Sequence, residues 1–411
     1  MNPFRRNQFP ASSPPFAAPT GVLATAVLAA FFGVISARLS PAKQSGDSSL
    51  IVHEWGTFTS IAGVDGAAVE WLPLSPKSDL PTFVEHLRNA DVKGGLRGTV
   101  RMETPVLYSY SPRQTTVSVS VSFAKGLITE WFPHATPVHP SEAFPMTLNP
   151  DVNGTIAWKN VTITPASSDT LLRETAPSHY YAARETSANL ISIPTSSGNQ
   201  SEKFLFYRGV SGFTLPITAK VQANGQLQVA NNAGAVLTLI LFERRGDKLG
   251  YTISSLESSA TLNAPSTSGT FDSLRSDFEN ALVDRGLYLD EAHAMLETWR
   301  DSWFEEGSRL FYVVPRAFVD SVLPLSIHPA PNQLTRVFVG RIELVTPATE
   351  NAIETALLSA DCEALQKYGR FLATMVEIIT TKHPDSAQAA RLQQAFAAYC
   401  MRLPCSPATR R

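Results

Sequence analysis

The chain has 411 residues, 44% hydrophobic and 17% charged, with 34 basic against 36 acidic side chains and a formal net charge of −2. That near balance lacks the cationic surplus of a nucleic-acid-binding surface, and the length suits one large or two modest domains. Abundant turn residues, 29 Pro and 23 Gly, among few charges favour a strand-and-turn protein over a helical bundle.

Residues 1–47 read as a cytoplasmic stub, an anchor and a short linker. The first twenty, MNPFRRNQFPASSPPFAAPT, are too rich in Pro and Ser to build a core. Gly21 to Ala37 is then an uncharged apolar run, preceded by Arg5 and Arg6 and followed by Arg38. This is the layout of an export signal or membrane anchor. As a helix the run would rise roughly 25 Å, slightly short of the roughly 30 Å hydrocarbon slab. Ile35 fits a cleavage site poorly, which favours an uncleaved anchor with the remaining chain outside the cytoplasm.

Residues 48–347 read as a β-rich ectodomain. Leu50 to Ile61 predicts a strand, and Asp79-Leu80-Pro81 predicts the start of a short helix carrying Phe83, Val84 and Leu87. Thr99 to Tyr110 and Thr115 to Phe123 predict two more strands, the second alternating at Val117, Val119, Val121 and Phe123. Leu127 to Phe132 and Thr155 to Ile163 follow, and the stretch from Thr164 to Glu202 reads as looser. Strands resume at Lys203 to Arg208 and Phe213 to Val221, with Asn224-Gly225 as a tight-turn signal before Gln226 to Ala230. Ala235 to Glu243 is the most apolar strand and is expected at the sheet centre. A Ser/Thr-rich linker after Gly250 to Leu256 leads to a helical insertion at about 271–307, with Leu274, Phe278 and Leu282 on one face and Asp290 as a cap. Arg309 to Val314 and Leu334 to Val345 return to strand.

Residues 348–411 predict a helical hairpin, Thr349 to Thr380 against Asp385 to about Met401, folded at His383-Pro384. The fold class is therefore α+β and β-rich, an antiparallel β-sandwich or curled sheet with supporting helices and a C-terminal helical hairpin. All three cysteines, Cys362, Cys400 and Cys405, lie in this last segment. In an oxidising compartment two should pair, and the hairpin would set Cys362 level with Cys400 or Cys405.

The phrases His-Glu-Trp-Gly-Thr-Phe-Thr (53–59), Met-Glu-Thr-Pro-Val-Leu-Tyr (102–108), Trp-Arg-Asp-Ser-Trp-Phe (299–304) and Gly-Arg-Ile-Glu-Leu-Val-Thr-Pro (340–347) span most of 50–347. With them the chain resembles an uncharacterised group of bacterial envelope proteins. The resemblance implies an extracytoplasmic bacterial setting and brings neither an activity nor a functional residue.

Several constellations invite chemistry. His53-Glu54 lacks the second histidine of a zinc-protease helix, since position 57 is Thr, but His53 and Trp55 could line a site assembled from strands. Glu-Trp recurs at 54–55, 70–71 and 130–131, and carboxylates beside indoles suit a sugar site. Strand alternation opposes it, because a core Trp turns its neighbouring Glu outward. His134 and His139, with Glu142, are spaced to chelate a divalent ion, although loop histidines are usually exposed and unliganded. His293, Glu297, Asp301 and Glu305 read as the solvated face of a helix whose other side carries Trp299 and Trp303. Tyr181, Arg184 and Arg208 could bind an anion, with an ordinary ion pair as the plain alternative. No phosphate loop or nucleophile elbow is present.

The sequence thus predicts a membrane-anchored, extracytoplasmic binding or scaffold protein, its partners the membrane and an envelope protein or glycan. The alternative is a hydrolase, with glycans as possible substrates, using Glu54, Glu103 and Glu130. No residue pattern specifies a cofactor.

Overall fold

The computed structural model of the chain describes residues 49–74, 80–88, 96–142, 152–165, 170–382 and 386–402. The candidate anchor at 21–37 lies outside them. Among the described residues no helix is long and apolar enough to cross a membrane.

Strand β1 (Ile51–Ile61) is the middle of a nine-stranded sheet. The segment after it makes a turn and the two-residue β2 (Glu85–His86) where a short helix is expected, because its backbone pairs with the sheet edge. Then come β3 (Val100–Tyr110), β4 (Thr115–Phe123), β5 (Gly126–Phe132), β6 (Val138–His139) and β7 (Gly154–Thr164). The stretch from Thr164 to Glu202 carries a 3-10 turn at His179–Arg184 and strands β8 (Leu190–Thr195) and β9 (Gly198–Glu202). Next are β10 (Phe204–Ser211), β11 (Ile217–Val221), β12 (Leu227–Asn231), β13 (Leu237–Arg245), β14 (Lys248–Leu256) and β15 (Ser259–Leu262). Helices α1 (Phe271–Val283) and α2 (Leu289–Trp303) precede β16 (Gly307–Val314), α3 (Arg316–Val322), β17 (Leu325–His328) and β18 (Gln333–Leu344).

The large sheet runs β14-β13-β16-β18-β1-β3-β10-β5-β2, and the β1–β18 pair is parallel. Smaller sheets, β11-β12-β15 and β17-β4-β7-β8-β9 with β6 beside β7, complete an α+β, β-rich fold. One face of the large sheet packs on the small sheets, with Val52, Phe58, Leu107 and Tyr207 meeting Val119, Trp158 and Val229. Its other face packs on α1 and α2, with Trp55, Val106 and Phe311 meeting Phe278, Met295 and Trp303. Covered on both sides, β1 is buried from Val52 to Ile61. The expected outward turn of Glu54 therefore does not occur, nor does that of Glu130 on β5; of the three Glu-Trp pairs, Glu70-Trp71 has the exposed carboxylate and buried indole.

The apolar β13 lies next to the edge, not at the centre. Its hydrophobicity reports burial of both faces, Leu239 and Leu241 on one and Ile240 and Phe242 on the other. On α2 the predicted cap residue Asp290 instead accepts from Ser187 N at 2.6 Å. The cap is made by Glu291, whose carboxylate accepts from Tyr288 N at 2.8 Å.

The predicted long helix after Thr349 is broken into α4 (Pro347–Leu358), α5 (Cys362–Gln366), a 3-10 turn at Gly369–Phe371 and α6 (Leu372–Lys382), followed by α7 (Ala387–Met401). Ala360 takes φ 55° and Asp361 caps α5 through Ala364 N, while Gly369 takes φ 47°. The apolar period survives these breaks: Ile353, Leu357, Phe371, Met375 and Ile379 share one core with Ile61, Trp71 and Val345. Cys362 is disulfide-bonded, and Cys400 is free and exposed, so a Cys362–Cys400 pair is not formed. Cys405 lies outside the described residues.

Candidate anion-binding site

Three neighbouring strands lose regular register at one level of the large sheet. The β1–β3 ladder shifts between Trp55 and Thr57, and the β3–β10 ladder between Phe206 and Gly209. Both shifts accommodate one extra residue in β3 around Thr104, which takes φ 44°, an uncommon and strained conformation for threonine. Pro105 follows it; lacking an N–H, proline is tolerated at a bulge. The extra residue exchanges the faces of β3. Val106 and Tyr108 face the helices, and unbroken alternation would send Thr104 and Met102 there too. Instead Met102 and Val100 join the opposite core, and Arg101 and Glu103 are delivered to the helix side.

There they line a cavity of about 250 Å³ with Arg208 of β10, Trp299 and Ser302 of α2, Glu305, His179 and Arg370. Arg370 reaches it because the chain breaks at Gly369, leaving the guanidinium packed on Trp71 and Phe371. Glu103 is fully buried, accepts from Thr59 Oγ1 at 2.8 Å, and pairs with Arg370 Nη2 and, at 3.3 Å, with Arg101 Nε. Arg208 lies 5.8 Å from the Trp299 ring. Among the described residues the buried Trp299 indole N–H has no acceptor.

Behind the cavity runs a chain of ion pairs. Arg309 Nε donates to Glu343 at 3.0 Å, Arg341 Nε donates to the same carboxylate at 2.6 Å, and Arg341 Nη2 lies 3.3 Å from Glu305 Oε1. This chain fixes Glu305 at the cavity wall.

Burial alone would raise the Glu103 carboxyl. The charges of Arg370, Arg101, Arg341 and Arg208 overcome that and hold it down at about 2. Burial, then the nearby charge of Arg370, push Arg101 down to about 10, although Glu103 opposes the shift. Burial is the larger cause and Arg370 the second; Arg101, Arg208 and Arg370 share the cavity lining with Glu103 and Glu305. Glu305 behaves oppositely to Glu103: burial raises its carboxyl against Arg309, Arg341 and Arg370.

Of the candidate site residues named from sequence, Glu103 and Arg208 line this cavity, as do Trp299 and Glu305, which the sequence pattern sets only on opposite faces of a helix. Glu54 is sealed in the core, accepting from Tyr207 Oη and Arg336 Nε, both at 2.5 Å. Glu130 is buried, accepts from Thr129 Oγ1 at 2.6 Å and lies 3.8 Å from His86. The three carboxylates thus do not share one cleft. His53 is fully buried, hydrogen-bonded through Nδ1 to Glu291 at 2.7 Å, and Tyr110 Oη donates to the same carboxylate. Trp55 is a core side chain. Arg184 does not join Arg208, because Glu202 holds it with bonds of 2.6 and 3.0 Å; Tyr181 Oη accepts from Glu174 N.

His134 hydrogen-bonds Glu85 at 2.8 Å, whereas His139 is exposed on β6. Among the described residues no group of three His, Cys, Asp or Glu side chains could hold a metal ion.

The residue pattern does not single out Arg101 or Arg370, and Glu305, expected on the solvated face of the helix, is half-buried past its end at Trp303 and lines the cavity. Arg101 and Glu103, two apart on one strand, carried a legible signal of a shared face. Arg370 carried none. Neither models of known protein families nor characterised proteins match this chain.

Proposed function

We propose that the chain is a membrane-anchored, extracytoplasmic binding protein whose Arg101–Arg208–Arg370 cavity takes a small anion bearing a carboxylate, sulfate or phosphate group. The observation that carries the binding assignment is the convergence of Arg101, Arg208 and Arg370 on one cavity around Glu103. An entering anion would meet three guanidinium groups there, and guanidinium groups suit planar or tetrahedral oxyanions. The extracytoplasmic assignment is supported by the uncharged run 21–37 with its arginine flanks and by the bonded state of Cys362.

Calorimetry on the purified chain with glucuronate, sulfate and phosphate tests the binding reading. At least one anion should bind, more weakly as ionic strength rises, and Arg370→Ala should abolish the signal. Unchanged affinity in that variant, or no anion bound at low salt, refutes it. Location is tested separately: the protein should sediment with membranes, resist alkaline extraction and be cleaved by protease added to spheroplasts.

A second reading, hydrolysis, rests on Glu103 and Glu305. Both line the cavity and their carboxyls are displaced in opposite directions, the pattern of a fixed anion and a proton carrier. Turnover of aryl uronides that disappears in Glu305→Gln would favour it; binding without turnover leaves the binding protein.

A further inference from the structure

A second cavity, of about 820 Å³, adjoins the first, and Glu305 lines both. Successive residues of two segments divide between them. On α2, Arg300 and Asp301 line the larger space while Trp299 and Ser302 line the smaller; from the end of α5, Gln366 and Lys367 go to the larger and Arg370 and Phe371 to the smaller. Two chambers with a common wall suit two linked units of one ligand.

We infer that the ligand is an acidic oligosaccharide spanning both chambers, its charged sugar among the arginines and an uncharged sugar in the larger chamber. This rests on the anion-binding assignment and extends it.

Size and charge separate the two positions. The arginine cavity lies just below the usual ligand-pocket range of about 300–1,000 Å³ and suits one ring-sized unit; the larger chamber lies within that range. Arg244, Arg300 and Lys367 in the larger chamber are offset by Asp247, Asp301, Glu305 and Glu306. Such a lining gives no advantage to a second anion and offers both donors and acceptors to hydroxyl groups. The Arg300 guanidinium, stacked 4.9 Å from the Phe271 ring, adds a flat polar platform beside them. A uniformly charged polyanion would set its second charge against four carboxylates.

Calorimetry with the full chain tests this using glucuronate, glucose 6-sulfate and glucose 6-phosphate as single units. A glucuronic acid–neutral hexose disaccharide and digalacturonate serve as linked pairs. The single units identify which acid group the arginines take. The mixed disaccharide should bind at least about tenfold more tightly than glucuronate, and digalacturonate should show no such gain. Arg300→Gln and Lys367→Ala, both at exposed positions, should erase the gain while leaving glucuronate affinity unchanged; Arg370→Ala should remove both. Equal affinity for glucuronate and the mixed disaccharide, a gain equal to it for digalacturonate, or a gain surviving both surface variants overturns the two-chamber reading and leaves anion binding intact. Failure of every single unit and both disaccharides to bind overturns the saccharide reading, and failure of free sulfate and phosphate as well overturns anion binding.

Discussion

Replacing Glu103 with Gln should lower stability and raise anion affinity together. The carboxyl falls from an ordinary 4.5 to about 2 in the folded chain, which corresponds to about 3 kcal/mol of stabilisation of the native state at neutral pH. Because the folded value is the lower one, this stability is present above pH 4.5 and is lost as pH falls through about 2. Gln keeps an acceptor for Thr59 Oγ1, so the substitution isolates the charge. Urea unfolding should show a gap of about 3 kcal/mol between wild type and Glu103→Gln at pH 7, narrowing below about pH 4.5 and closing near pH 2. Binding should move the other way. For an anion about 5 Å away, deleting one negative charge is worth about 1 kcal/mol in water-like surroundings and about 3 kcal/mol at an effective dielectric near 20. That is a gain of about five- to 150-fold, read by calorimetry. A pH-independent stability gap, or affinity falling along with stability, would refute the electrostatic account of the cavity.

Core packing makes further demands. A Cβ at Gly340 would lie 2.0 Å from Tyr312 Cε1 in a closed core, so Gly340→Ala should cost about 1–3 kcal/mol in urea unfolding. The Tyr312 hydroxyl is buried without a partner among the described residues, so Tyr312→Phe should be neutral or stabilising by up to about 1 kcal/mol. Arg336→Met leaves Glu54 uncompensated in the core and should cost about 3–5 kcal/mol, without changing anion affinity, since neither residue lines the cavity. Alkylation of native protein should label Cys400 and spare Cys362 until reductant is added; reduction should then lower stability by about 2–4 kcal/mol.

Much of the fold was legible because local periodicity reports which faces are covered. The alternation of Val117, Val119, Val121 and Phe123 sets β4, and Leu274, Phe278 and Leu282 set the buried stripe of α1. The same reasoning misplaced what depends on a second covering layer. Glu54 was expected to face out because Trp55 faces in, yet helices cover one side of β1 and strands the other. The apolar β13 was expected at the centre, although hydrophobicity counts buried faces and not position within a sheet.

The site shows the division most sharply. Sequence alone determined the nearly neutral charge, the strand order of residue types, and the two-residue spacing that puts Arg101 and Glu103 on one face of β3. It could not determine which face. One extra residue at Thr104 reverses the orientation of every earlier side chain on that strand, and the tertiary ladder with β1 and β10 decides where the slack is taken up. Nor could sequence bring Arg370 to Glu103 across 267 positions: local patterns fix faces within an element, whereas charges from separate elements meet only when packing closes the chain around them.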